Sequence, residues 1–268
     1  MKWYTAISSY SSETYFNMLE VAIHSCIVNK AFKPHVVCDK ITPRLKKIKK
    51  RFPELIVIEH PGAIFLEFVS QFKDDKELAN HLGTAGAYLR AEIPNIEQED
   101  DIVLYTDVDV LFFDPREGPR NIMKPDFFAV APEFEMNNWS YFNTGSMIIN
   151  INSMKKEYDS FLNFVVKRFK ELISFAHDQG AYNHLYKGRW NKLPLEYNWK
   201  PGWGINDQAV VLHWHGPKPE EVKMYFNDSL ERVNIDVDVN GVDLYKKMIE
   251  RDTESYKHYL ERYDFFAS

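Results

Sequence analysis

Cysteine is nearly missing from this chain: Cys26 and Cys38 are the only two among 268 residues, and both sit in apolar stretches. Two such thiols make neither a zinc-ligand spacing nor a disulfide framework, so they read as buried free thiols of a protein kept in a reducing compartment. Glycine and proline are also scarce, at 11 and 13, which sets aside collagenous, low-complexity and disordered chains. A basic surplus is absent. The chain has 33 Lys and Arg against 39 Asp and Glu, a formal net charge of -6, and one basic cluster, Lys46-Lys47-Ile48-Lys49-Lys50-Arg51. Phosphate-backbone binding needs more than that, so nucleic acid is not expected as a partner and the cluster reads as a solvated helix face. Long hydrophobic runs are lacking too. The longest uncharged window, Asn137 to Met154, contains five Asn and a Gly, which disqualifies it as a membrane span. Met1 to Ile7 reads as a first strand rather than a leader. A cytoplasmic location with no transmembrane segment is expected.

What is present is enough apolar material for a core: 45% of residues are hydrophobic and 15% aromatic. At this length one large α/β domain is the expectation. Short apolar segments at 3–8, 35–38 and 55–58 alternate with amphipathic ones. In the first of these, Tyr15, Leu19, Ala22, Ile23 and Cys26 recur at helical spacing after a capping Ser12. Such alternation predicts a mixed, mainly parallel sheet flanked by helices. A helical stretch is expected around 74–91, strands at 101–105, 110–113, 127–131, 146–151 and 209–212, and helices at 153–173 and 178–187. Residues 242–266 read as a short C-terminal helical extension packed on the core. The division predicted is a catalytic domain over 1–220 and an extension over 221–268.

The chemistry concentrates where the apolar strand 101–105 runs into Asp107-Val108-Asp109. Positions i and i+2 of an extended segment project to one side, so two carboxylates can converge on a hard cation at the strand's carboxyl end, where open α/β sheets place ligands. Alone, Asp-x-Asp is weak, and Asp236-Val237-Asp238 is a second copy with no companions. The first copy has companions: Tyr88-Leu89-Arg90 upstream, then Tyr141-Phe142-Asn143-Thr144-Gly145-Ser146, Asp178-Gln179-Gly180, and His213-Trp214-His215-Gly216-Pro217-Lys218-Pro219. Read for local structure only, Asn143 is a turn former, Asp178 a helix N-cap, Arg90 a surface charge, Tyr15 a core ring and His213 a strand-end histidine.

Taken in order, this set resembles glycosyltransferase family 8, the retaining enzymes of GT-A (Rossmann-like) fold that include glycogenin and bacterial lipopolysaccharide galactosyl- and glucosyltransferases. The resemblance runs from about residue 3 to about residue 219. It implies a hexosyltransferase that moves a hexose from a nucleotide-sugar donor, UDP-linked by expectation, to a glycan or other hydroxyl acceptor. Asp107, Asp109 and His213 would hold Mn²⁺, with Mg²⁺ as the alternative, and His215 is a second candidate because it projects to the same side of a strand as His213. Thr5, Ala6, Tyr15, Arg90, Asp107, Gly216 and Lys218 would bind the donor. Asn143, Asp178 and Gln179 would face the sugar, with covalent and same-face attack both open. Trp190, Tyr197 and Trp199, around a family-like Leu193-Pro194 segment ending at Asn198, offer an acceptor face or simple packing. The closing motif departs from the family, since Pro217 alone separates Gly216 from Lys218. Two other readings compete: a catalytically inactive nucleotide- or carbohydrate-binding module on the same fold, and an Asp-x-Asp phosphatase.

Overall fold

The computed structural model describes residues 1–74, 79–114, 122–229 and 239–268. The opening alternation becomes strand β1 (Lys2–Ile7), helix α1 (Glu13–Val28), β2 (Lys33–Cys38), α2 (Pro43–Arg51) and β3 (Ile56–Glu59). All three strands pair in parallel. Thr42 caps α2 by accepting from Leu45 N–H, with Pro43 at the first helical position. Ser12 occupies the N-cap of α1 but its side chain makes no capping bond.

Next come α3 (Ala63–Phe72), a 3-10 segment (Ala79–Glu92) and the short α4 (Ile93–Ile96). The expected helix at 74–91 is therefore largely 3-10, and the α-helix that packs here lies earlier. Phe65, Phe68 and Phe72 drive that shift: they bury one face of α3, with Phe68 and Phe72 stacked at 4.3 Å. The chain then enters β4 (Ile102–Thr106), the short β5 (Val110–Phe112), β6 (Phe128–Pro132) and β7 (Phe142–Asn150). Strand β7 begins earlier than the sequence suggested. Asn143, Thr144 and Gly145 lie inside it, and the register against β6 slips between Val130 and Ala131, so a bulge takes up the residues that read as a turn.

Helices α5 (Ile151–Val166), α6 (Phe169–Ile173) and α7 (His177–Leu185) follow, then β8 (Asn191–Lys192), β9 (Val211–His213), α8 (Pro219–Phe226), α9 (Val239–Arg251) and α10 (Thr253–Ala267). The main sheet runs β3-β2-β1-β4-β7-β6-β8, with β7 antiparallel to both neighbours. A second, two-stranded sheet pairs β5 with β9. This is the mixed, mainly parallel GT-A arrangement. Buried clusters cover both faces of the sheet. A third cluster joins Leu212 and Trp214 of the β9 region to Met18 and Val21 of α1 and to Tyr256, Tyr259, Leu260, Tyr263 and Phe266 of α10. Asp236 and Asp238 lie outside the described residues.

Candidate active site at the carboxyl end of β4

The pairing of β5 with β9 is what assembles the site. Val110 stands opposite His213 in that small sheet, so the bend at 107–109 between β4 and β5 is brought against the end of β9. One donor atom each from Asp107, Asp109 and His213 lies within 4.8 Å of the others. His213 joins the carboxylates and His215 does not: His215 Nε2 lies 3.0 Å from Glu133 Oε1.

Asp109 is buried, with Oδ2 accepting from Lys218 Nζ at 2.6 Å and Oδ1 3.5 Å from His213 Nε2. Burial pushes its carboxyl up, but Lys218 outweighs that and holds it well below the usual carboxylate range. Lys218 in turn is kept charged against the cost of burial by Asp109. Asp107 is half-exposed, and its Oδ1 accepts from Arg90 (2.9 Å) and from the Tyr105 hydroxyl (2.7 Å). Two carboxylates and an imidazole nitrogen facing one another, Asp107 paired with Arg90 and Asp109 with Lys218, offer the mixed oxygen and nitrogen donors that suit a divalent cation. The residues present therefore fit a metal, and they do not decide which one.

Arg90 is a buried residue, not a surface charge. Its guanidinium lies over the Tyr105 ring at 4.4 Å, donates to Thr144 O and Asp107 Oδ1, and sits 2.8 Å from Asp178 Oδ2. The last contact is an ion pair without hydrogen-bond alignment, since Oδ2 has no well-directed donor. Asp178 is the second residue of α7 rather than its cap. Burial raises its carboxyl to about 6, Arg90 pulling down and Asp107 pushing up. Gln179 Oε1 accepts from Thr144 N–H at 2.9 Å, tying α7 to β7. Asn143 is buried with its amide saturated: Nδ2 donates to Glu133 and Gln179, while Oδ1 accepts from Gly145 N–H and Asn198 Nδ2. In this arrangement no hydrogen-bonding capacity remains on it for a sugar.

Thr5 is fully buried in β1 and its hydroxyl has no partner among the described residues, while Ala6 beside it is half-buried. Tyr15 is 44% exposed, which removes the core-ring alternative. Partial burial raises its hydroxyl, and it lies in the fields of Lys218, Asp109 and Asp107. Gly216 has φ +85°, and a Cβ there would come 2.5 Å from Met248 Cε of α9. The positive φ favours glycine at that turn, while the end of the Met248 side chain is free to shift. Of the proposed acceptor face, Tyr197 is buried, Trp199 donates its Nε1 to Gly204 O, and Trp190 stacks on Trp139. These rings serve packing and local hydrogen bonding.

Four contributors escaped the sequence reading. Tyr105 was findable, since it lies two residues before Asp107 on the same strand. Asn198 closes the Leu-Pro segment and is fully buried with Oδ1 3.0 Å from His213 Nδ1. Glu133 and Lys200 carried no local signal. Glu133 is drawn down to about 2 by His215, Lys200 and Asn143 despite burial, and Lys200 is lowered to about 7 by burial, its ammonium over the Trp203 ring.

Residues 123–219, which carry Asn143, Asp178, Gln179, His213 and Lys218, match the model of glycosyl transferase family 8. Over this stretch the chain is similar to glycosyltransferase family 8. Among curated relatives, glycosyltransferase GlyB of Streptococcus pneumoniae serotype 4 is 24% identical over 247 residues, covering 78% of this chain and 55% of that protein. General stress protein A of Bacillus subtilis is 27% identical over 165 residues, covering 56% and 57%. The chain thus spans little more than half the length of these relatives. Among solved structures, the galactosyltransferase LgtC in complex with donor and acceptor sugar analogs superposes with a TM-score of 0.60 at 18% identity, over 93% of this chain and 95% of that one. The apo glycosyltransferase GlyE of S. pneumoniae TIGR4 gives 0.58 at 16%, over 99% and 64%. At these identities the structural likeness establishes the GT-A fold. The family 8 stretch supplies the His213 side of the site, and the Asp107/Asp109 side comes from β4, outside it.

Proposed function

We propose that this chain is a metal-dependent retaining glycosyltransferase that moves a hexose from a nucleotide-sugar donor, UDP-linked, to a hydroxyl of a glycan or other acceptor. The observation that carries the reading is the convergence of Asp107, Asp109 and His213 beside two cations, the buried Arg90 and the half-buried Lys218, and a buried Asp178. A divalent ion, Mn²⁺ by the mixed oxygen and nitrogen donors, would neutralise the departing diphosphate when bound. Lys218 and Arg90 offset most of the charge of Asp107, Asp109 and Asp178, so with a divalent ion bound the donor's phosphates would meet local positive charge. Tyr15 stands at the exposed rim near Lys218, in position to flank a base. Asp178, ionised at neutral pH and held by Arg90, is placed to stabilise positive charge developing on the sugar. Among the described residues no helix is long and apolar enough to cross a membrane, and a cytoplasmic enzyme is our reading. The catalytic part is residues 1–220 and the extension residues 221–268.

A thermal-shift panel of nucleotide sugars with and without Mn²⁺ tests this, because a ligand that binds only the native state raises apparent stability. A shift that needs both UDP-sugar and Mn²⁺ is expected, together with slow donor hydrolysis. Asp109→Ala should abolish Mn²⁺-dependent UDP binding; unchanged affinity in that variant sinks the site assignment. Binding without any hydrolysis or transfer would favour the inactive binding module instead.

A further inference from the structure

The hydrogen-bond network behind the site fixes which nitrogen of His213 carries its proton. Gly145 N–H lies 2.9 Å from one amide atom of Asn143, and a main-chain N–H can only donate, so that atom is Oδ1. The other end of the same amide agrees: Nδ2 faces Glu133 Oε2 at 2.9 Å and Gln179 Oε1 at 3.1 Å, and the Gln179 atom is itself identified as oxygen by Thr144 N–H. Asn143 Oδ1 also accepts from Asn198 at 3.0 Å, which makes that atom Nδ2. The remaining amide atom of Asn198 is therefore Oδ1, and it lies 3.0 Å from His213 Nδ1. An amide oxygen only accepts, so Nδ1 bears the hydrogen. Nε2 is left with a lone pair, pointed at Asp109 Oδ1 3.5 Å away.

We propose that Asn198, oriented by Asn143, is a positioning residue that holds His213 in its Nδ1–H tautomer and so keeps Nε2 a lone-pair donor toward a cation shared with Asp107 and Asp109. Outer partners of this kind set ring orientation and ligand basicity at metal sites. Asn198 and Asn143 are both buried, so neither amide can turn over by exchanging its partners for water. The clause about the cation rests on the reading of the site given above; the tautomer does not.

The test separates the two. Long-range ¹H–¹⁵N spectra of the metal-free full chain at pH 8.5 should show His213 protonated at Nδ1 in wild type. Asn198→Leu should give Nε2–H or a mixture, and Asn198→Asp, which keeps an acceptor at the ring, should restore Nδ1–H. An Nε2–H or doubly protonated His213 in wild type overturns the proposal without need of any variant, as does an unchanged Nδ1–H signal in a folded Asn198→Leu. Calorimetric titration with Mn²⁺ should then show binding about 10–100-fold weaker in Asn198→Leu, and restored in Asn198→Asp. If wild type has the Nδ1–H tautomer but takes up no Mn²⁺, the relay stands and the cation reading falls.

Discussion

His213 owes its place to an atom that is missing. A Cβ on Gly145 would fall inside contact distance of the His213 ring, so only glycine at that point of β7 lets the imidazole lie against the strand. Gly145→Ala is expected to displace the ring, cost about 1–3 kcal/mol of stability by overpacking, and abolish cation binding; denaturant unfolding and a Mn²⁺ titration check the two effects. Asp178 makes a second prediction at this scale. Its folded value of about 6 lies above the ordinary 3.8, so between those pH values the folded protein holds a proton that the unfolded chain releases. Its stabilising effect is full below about pH 4 and is lost as pH rises through 6. The stability of wild type minus that of Asp178→Asn should therefore fall by on the order of 2–3 kcal/mol between pH 4 and 7, a difference that unfolding curves at a series of pH values would measure. Asp107 and Asp109 were legible in the sequence because a strand and a two-residue spacing are local facts. Asn198 was not, because its meaning depends on Asn143, 55 residues away, and on the direction in which that amide points.

At the scale of elements, α7 begins under strain. Ala176 and His177 both have left-handed backbones, φ +58° and +53°, immediately before Asp178 and Gln179. Left-handed conformation costs an L-residue roughly 1–2 kcal/mol, and here it turns the chain so that Asp178 enters the site buried. Ala176→Gly should relieve part of this and raise stability by about 0.5–1 kcal/mol, after the extra freedom glycine gives the unfolded chain; a drop in the thermal midpoint would contradict it. The strands at 3–8, 35–38 and 101–105 were readable because buried parallel strands are near-continuous apolar runs, and 55–58 shows the same run although β3 is a largely uncovered edge strand. The sequence places the start of β7 too late, since Asn143, Thr144 and Gly145 have turn propensities. The pairing of Asn143 with Ala131 of β6 and the hydrogen bond from Asp107 N–H to Gly145 O override that preference.

The whole molecule uses its C-terminal segment to hold the far side of the site. Helix α10 buries Tyr256, Tyr259 and Tyr263 against α1 and the β9 region, and α9 sets Met248 on Gly216, two residues from Lys218. Deleting residues 253–268 should uncover Leu212 and Trp214, lower the thermal midpoint by more than 10 °C, and weaken Mn²⁺ binding through loss of support for β9; a truncated chain with unchanged midpoint and metal affinity would show that α10 is dispensable. The amino-acid order alone determined the alternation that makes a mainly parallel sheet, and with it the place of Asp107 and Asp109 at a strand's carboxyl end, because hydrophobic period and short spacing are local properties of a chain. Only the tertiary structure decided that His213 and not His215 meets those carboxylates, that Arg90 is buried between Asp107 and Asp178, and that Asn198 directs the imidazole. Each of those depends on the register of β5 against β9 and on packing between segments far apart in the chain, which no local pattern encodes.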